Sequence, residues 1–102
     1  MTIRSSSQDG ELTVYLSGEI DHHAARKIRE MTDALIQQQQ PRLLKLNFGG
    51  VTFMDSSGIG LIMGRCRMMQ LYGGDVRVVN VPGELKKMMH LSGLSGLKVL
   101  GI

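Results

Sequence analysis

Hydrophobic and polar residues alternate near the start of the chain, which is the pattern of a strand with one buried face. Every second residue from Leu12 to Leu16 is apolar within the segment 11–18. The turn-forming residues 8–10 come just before this segment. We therefore predict that residues 2–5 pair with it antiparallel, as the edge strand of a hairpin.

A spacing of three and four residues between apolar side chains follows, and it predicts an amphipathic helix over 22–38. Asp21 is a residue type that caps a helix N-terminus. Pro41 ends the helix, because proline disfavours the helical conformation at the residue before it. The predicted buried stripe of this helix comprises Ala25, Ile28, Met31, Leu35 and Ile36.

Predicted strands and helices alternate along the rest of the chain. They are a strand buried on both faces at 43–48 with a turn at Gly49–Gly50, a helix at 57–71 that Gly73–Gly74 end, a strand at 76–81, a short helix from Pro82 to near Gly93, and a strand at 97–100. Such alternation is typical of parallel strands joined by right-handed crossover helices. The prediction is a single α/β domain over residues 1–102, with a mixed four- to five-stranded sheet that has one antiparallel edge strand.

Composition restricts the possible functions. The basic residues are scattered, and two Phe, two Tyr and no Trp are available for base stacking, so we do not expect nucleic-acid binding. A net charge of +3 suits an acidic protein partner or a phosphate-bearing ligand better. No apolar run reaches the ~20 residues of a membrane span, and the first ten residues do not resemble a secretory signal. We expect a cytoplasmic protein that does not bind membranes.

The lone cysteine and the histidines give no sign of a metal or cofactor site. Cys66 cannot form an internal disulfide, and its helical spacing from other apolar residues predicts a buried position. The glycines after residue 57 do not fit a dinucleotide fingerprint or a phosphate-binding P-loop. We expect no metal and no cofactor.

The segment 51–57, with the sequence VTFMDSS, is predicted to be a loop between a strand and a helix. Ligands and partners of parallel sheets meet the loops at the carboxyl ends of the strands. Asp55 or Ser56 can cap the helix that follows. A cap needs one side chain, so capping alone leaves the doubled serine unexplained.

Two further interpretations of the serines remain. A phosphate on Ser56 would be tolerated at a helix N-terminus, and Gly58 and Gly60 would let a partner approach the backbone closely. A serine nucleophile would need a nearby base, for which His22 and His23 are the candidates. The segment lacks the Gly-x-Ser-x-Gly pattern of a nucleophile elbow, however, which makes a hydrolase a weak alternative.

Three segments resemble the STAS domain of bacterial anti-sigma factor antagonists, and most closely the sporulation type that controls sigma-F. They are GEIDHHAA at 18–25, FMDSSGIGLIMGR at 53–65 and YGGDVRVVNVPGELKKMMHLSGL at 72–94. The resemblance covers nearly the whole chain. Among them the Asp-Ser-Ser-Gly-hydrophobic-Gly block is the most specific.

The resemblance implies a regulatory protein that is phosphorylated on Ser56 and is not itself an enzyme. It implies as partners an anti-sigma factor with serine kinase activity, bound to ATP or ADP, and a PP2C-type phosphatase that restores the unphosphorylated form. The residues expected to contact the anti-sigma factor are Asp21, Met54, Asp55, Ser57, Gly58, Ile59 and Gly60. A general-stress antagonist and a nucleotide-binding STAS module remain the alternatives.

Overall fold

Strands and helices alternate in the computed structural model of the chain, which describes residues 2–94 and 99–101. In chain order they are β1 (Thr2–Gln8), β2 (Glu11–Ile20), α1 (His22–Gln39), β3 (Leu43–Met54), α2 (Ser56–Leu71), β4 (Asp75–Val79), α3 (Gly83–Leu91) and β5 (Val99–Leu100). The predicted last strand falls partly on residues 97 and 98, which lie outside the described residues.

The strands form one mixed sheet in the order β1-β2-β3-β4-β5. β1 pairs with β2 antiparallel, and every later pair is parallel. The order in space follows the order in the chain, so right-handed crossovers place all three helices on the same face of the sheet. This confirms the predicted α/β architecture with one antiparallel edge strand.

The sheet is buried on the helix side and half-exposed on the other. Its buried side chains are Leu12, Val14, Leu16, Leu44, Leu46, Phe48, Val76 and Val78. On the opposite face Lys45 and Asn47 of β3 are only half-buried, and Tyr15 beside them on β2 is 38% exposed. The prediction of a strand buried on both faces was therefore wrong, because the helices cover only one side.

The glycine pair in β3 forms an irregularity inside a strand, not the predicted turn. Asn47 pairs with Tyr15 and Gly50 pairs with Ser17, so β3 gains an extra residue over this stretch. A Cβ on Gly50 would lie 2.7 Å from the Cβ of Ser17, and this close approach of the two strands explains the glycine. β3 then continues to Met54, so the first four residues of the predicted loop at 51–57 belong to the strand.

The turn between β1 and β2 agrees with the prediction. Asp9 and Gly10 both have positive φ, 53° and 79°, which is the conformation that suits a tight hairpin. β1 is longer than predicted, and it extends to Gln8. β4 is shorter than predicted and ends at Val79, because Asn80 has a left-handed backbone with φ 53°.

Helix α1 buries three residues of the predicted stripe, Ala25, Ile28 and Ile36, but not all five. Ile28, Thr32 and Ile36 succeed one another at intervals of four residues on the buried side. Met31, which the prediction placed in the stripe, is 43% exposed, and Leu35 is only half-buried. The apolar spacing gave the helix correctly, but a buried threonine takes the place expected of an apolar residue.

The predicted stripe of helix α2 comprises Ile59, Ile62, Met63, Cys66 and Met69 or Gln70. The helix buries these residues except Met63, which is half-buried, and Gln70, which is exposed. Cys66 is 2% exposed, as expected, and burial raises the pKa of its thiol. The helix ends as predicted at the glycine pair 73–74, where Gly73 has φ 75° and the Gly74 N–H donates to the Met69 carbonyl at 2.8 Å.

An ion pair between the buried Arg65 and the partly exposed Asp33 joins α1 to α2. Arg65 Nε lies 2.8 Å from Asp33 Oδ1, and the Arg65 side chain is 8% exposed. The contact does not have the geometry of a hydrogen bond, and Arg65 Nη1 has no hydrogen-bond partner among residues 2–94 and 99–101. Burial lowers the pKa of Arg65, while the neighbouring Asp33 carboxylate counters this effect. The pair fixes the two helices relative to each other.

Candidate functional site

Helices α1 and α2 begin side by side at the carboxyl edge of the sheet. Ile20 ends β2 and pairs with Met54, which ends β3. The next residue in each case, Asp21 or Asp55, precedes a helix, and the Asp55 N–H donates to the Ile20 carbonyl at 3.2 Å. The two helix N-termini, each with a partial positive charge, are therefore neighbours.

An aspartate caps each of these helices. Asp21 Oδ1 accepts a hydrogen bond from the Ala24 N–H at 2.9 Å, and Asp55 Oδ1 accepts one from the Ser57 N–H at 2.8 Å. The Ala24 N–H is the main cause of a lowered pKa at Asp21. The prediction of a cap at Asp21 is confirmed. Of the two candidates for the second helix, the structure selects Asp55 over Ser56.

Ser56 is the first residue of α2, and its side chain is exposed. Among the described residues, none forms a hydrogen bond with its hydroxyl. Ser57 is half-buried, and its backbone N–H is engaged by the cap. Since Asp55 already caps the helix, capping does not account for the hydroxyl of Ser56, which stands at the surface over a helix N-terminus.

Three of the residues predicted to contact a partner lie beneath this surface. Met54 is 2% exposed, Ile59 is 8% exposed, and Gly58 is buried. A Cβ on Gly58 would overlap the Cγ and Sδ atoms of Met54. These residues leave little surface for direct contact, and their packing determines where the first turn of α2 lies.

Gly60 differs from Gly58 because the packing of the protein does not require it. It is exposed, and no atom lies within 4 Å of the position that its Cβ would take. A glycine at such a position lowers helix stability by about 1 kcal/mol relative to alanine. Gly60 therefore leaves open space beside the backbone of α2.

Sequence reasoning missed an exposed aromatic residue beside the serines. Phe53 is 50% exposed and pairs with Glu19 on β2. Adjacent side chains of a strand point to opposite faces, so Phe53 and the buried Met54 cannot both face the core. This alternation applies only to a strand, and the sequence predicts a loop at 51–57.

Two arginines of α1, Arg26 and Arg29, were also not among the predicted site residues. They line a groove of about 440 Å³ between α1 and α2, together with Ser57 of the serine pair. Their position near the serines depends on how α1 packs against α2. No local pattern in the sequence reports that packing.

The histidines do not form a catalytic pair with Ser56. His22 and His23 are exposed in the first turn of α1, and their ring centroids lie 4.9 Å apart. His22 reaches the same groove as Ser57, but within residues 2–94 and 99–101 neither histidine hydrogen-bonds to either serine. The arrangement lacks the base contact that an activated serine requires.

In the described part of the chain, no three His, Cys, Asp or Glu residues are grouped so that they could hold a metal ion. No helix in that part is both long and apolar enough to cross a membrane.

A family model and the similar proteins of known type all indicate the same family. A family model described as the STAS domain matches residues 2–99. An anti-sigma F factor antagonist from Paenibacillus polymyxa is 36% identical over 94 residues, which is 92% of this chain and 80% of that protein. An anti-sigma-B factor antagonist from Bacillus subtilis is 28% identical over 89 residues, covering 87% of this chain and 80% of that protein.

The fold is similar to that of the Bacillus anti-sigma factor antagonist SpoIIAA, which has been solved in two forms. The unphosphorylated form matches with a TM-score of 0.84 at 29% identity, over 99% of this chain and 88% of that one. The phosphorylated form matches with a TM-score of 0.77 at 29% identity, over 99% of this chain and 91% of that one.

Proposed function

The chain belongs to the STAS domain family, and we propose that it is an anti-sigma factor antagonist whose binding is switched by phosphorylation of Ser56. One observation carries the proposal: Ser56 is exposed at the first position of α2, while Asp55 alone provides the cap. The hydroxyl is accessible to a kinase, and its phosphorylation would break no hydrogen bond to the described residues. The solved relative SpoIIAA exists in a phosphorylated form, which supports the same chemistry here.

In this proposal the unphosphorylated protein binds an anti-sigma factor and thereby releases its sigma factor. The anti-sigma factor is also the serine kinase, bound to ATP or ADP, and a PP2C-type phosphatase restores the unphosphorylated form. The protein acts in the cytoplasm as a ligand and a substrate. The sporulation type that responds to sigma-F is favoured over the general-stress type, because identity to the F-type relative is 36% against 28% to the B-type relative.

The partner contacts the exposed part of the surface around the two helix starts. Of the residues predicted for contact, the exposed or half-exposed ones are Asp21, Asp55, Ser57 and Gly60. Met54, Gly58 and Ile59 are buried below them and hold the first turn of α2 in place. Phe53 adds an exposed aromatic side chain at the same edge.

Electrostatics explains how phosphorylation can act without a change of fold. A phosphate adds about −1.5 to −2 charges, and the positive end of α2 tolerates them. The new charge stands next to the Asp55 carboxylate and near Asp21, so this side of the surface becomes strongly negative. Repulsion and lost contact of a few kcal/mol weaken binding by orders of magnitude, because each ~1.4 kcal/mol is a factor of ten.

The test is the intact mass of the protein after incubation with ATP and its cognate anti-sigma factor. Wild type is expected to gain one phosphate, Ser56→Ala none, and the neighbouring control Ser57→Ala one. By calorimetry, Ser56→Ala should bind the anti-sigma factor and Ser56→Asp should bind it poorly. Phosphate on the Ser56→Ala variant, or equal affinities of the alanine and aspartate variants, would refute the switch.

A further inference from the structure

A groove runs between the first halves of α1 and α2, directly beside the serine pair. Its volume is about 440 Å³. Ala25 of α1 and Leu61 of α2 contribute the small and apolar part of its lining. The polar part of the lining comprises His22, Arg26, Arg29 and Ser57. No helix, strand or loop of the described residues fills this space.

The groove is positively charged. Arg26 and Arg29 are permanently charged at neutral pH, and no carboxylate is among the lining residues. Glu30 compensates one of these charges in part, because its Oε1 lies 3.3 Å from Arg26 Nε, but both side chains are largely exposed. The N-terminal ends of the two helices add further positive potential.

The rim beside the groove has the opposite charge. Asp21 and Asp55, the two caps, stand at the helix starts, and Ser56 lies next to Asp55. Arg26 follows Asp21 by five residues, which places it roughly 7 to 8 Å further along the helix axis at 1.5 Å per residue. A negative rim and a positive groove therefore lie side by side on one surface.

The groove also depends on the absence of a side chain at Gly60. This glycine lines the groove, and its Cβ would project into open space. Gly64 lies one turn later on α2 and has the same open surroundings, but it does not line the groove. Substitution of Gly60 by alanine therefore changes both the groove shape and the helix propensity. The same substitution at Gly64 changes only the helix propensity.

We propose that this groove receives an acidic segment of the anti-sigma factor, whose carboxylates pair with Arg26 and Arg29. The inference rests on the proposed function and specifies the partner's chemistry. Charge complementarity argues for it, because two guanidinium groups beside a small apolar lining suit paired or bidentate carboxylates. The partner must present a positive group to the aspartate rim and a negative segment to the groove. Phosphorylation of Ser56 adds its negative charge to the rim, next to Asp55 and beside the groove.

The first experiment is calorimetric titration of the cognate anti-sigma factor with unphosphorylated protein at low and moderate salt. The variant Arg26→Glu/Arg29→Glu is expected to bind at least tenfold more weakly than wild type. Its control, Lys86→Glu/Lys87→Glu, makes the same change in net charge on exposed residues of α3. The control should bind within twofold of wild type. Thermal unfolding of both variants verifies that they are folded.

The second experiment compares the two glycines. Gly60→Ala and Gly64→Ala should both raise the melting temperature, since alanine favours the helix. Only Gly60→Ala should weaken binding, because its methyl group enters the groove. This variant is expected to be more stable than wild type, and a raised melting temperature would show that weaker binding is not caused by unfolding.

The outcomes separate this inference from the proposed function. If wild type does not bind the anti-sigma factor, the proposed function fails and the groove proposal fails with it. If wild type binds and the Arg26→Glu/Arg29→Glu variant binds equally well, only the groove proposal is overturned. Equal weakening by the α3 control would also overturn it, because net charge and not the groove would then govern affinity.

Discussion

Helices α1 and α2 begin in the same way but present different surfaces. The caps have nearly the same backbone conformation, with φ −90° and ψ −172° at Asp21 and φ −93° and ψ −171° at Asp55. Each follows the last residue of a strand, and each carboxylate accepts a hydrogen bond from a backbone N–H of the first turn. The caps therefore cannot explain why the two starts differ in sequence.

The difference lies in the three residues that follow each cap. In α1 they are two exposed histidines and the buried Ala24, while in α2 they are Ser56, Ser57 and the buried Gly58. The first start is an ordinary packed turn. The second has an exposed hydroxyl and a glycine whose added Cβ would overlap side-chain atoms of Met54. The same type of cap therefore begins both a helix that only packs and a helix that exposes a serine hydroxyl. The residues after the cap distinguish the two cases.

The largest expected effect comes from removing the ion pair between α1 and α2. Asp33→Ala leaves Arg65 buried without its counter-charge and should lower the free energy of unfolding by about 3 kcal/mol. Urea denaturation monitored by circular dichroism measures the loss. Arg65→Met is the control, because it removes the buried charge and fills much of the same space. This control should cost less than Asp33→Ala, and a reversed order would show that the ion pair does not govern the stability of the interface.

An intermediate effect is expected from making the start of α2 resemble that of α1. Gly58 occupies the position of Ala24, so Gly58→Ala copies the residue of the other helix. Its methyl group would collide with Met54, and we expect a loss of about 1 to 2 kcal/mol despite the better helix propensity of alanine.

A double-mutant cycle tests the cause of that loss. In a Met54→Ala background the penalty of Gly58→Ala should shrink or change sign, since the colliding atoms are gone. Additive effects of the two substitutions would contradict the steric explanation. Ala24→Gly in α1 serves as the reverse exchange, and it should cost the helix propensity of the site and the burial of one methyl group, because Ala24 is 7% exposed.

The smallest effect concerns the pH dependence of the α1 cap. The hydrogen bond from the Ala24 N–H lowers the pKa of Asp21, so the charged carboxylate stabilises the folded state. Its contribution is complete above the ordinary aspartate pKa of about 4 and disappears as the pH falls through the lowered value. The difference in melting temperature between wild type and Asp21→Asn should therefore narrow on acidification from neutral pH. A constant difference would show that the charge has no part in the cap.

Local signals predicted most of the elements correctly. The alternation around Val14, the cap at Asp21 and the apolar spacing after Ser57 each depend on residues that are close in the chain. Such signals are readable because a strand repeats every two residues and a helix every 3.6.

Errors arose where residues distant in the chain decide the outcome. Gly50 looked like part of a turn, but its close approach to Ser17 on the neighbouring strand makes it an irregularity within β3. Lys45 and Asn47 looked buried in an apolar run, although none of the helices α1, α2 and α3 covers their face of the sheet. Met31 looked like a core residue, but the rotation of α1 against the sheet buries Thr32 instead.

The sequence by itself determined the order of strands and helices, the cap of the first helix and the position of the serine pair at a helix start. These features depend on backbone propensity and local hydrogen bonding, which act over a few residues. Only the tertiary structure decided that Asp55 sits beside Asp21, that Met54 and Gly58 lie under the surface, and that Arg26 and Arg29 line a groove next to Ser57. Those relations come from strand pairing and from the packing of α1 on α2, and no local pattern encodes them.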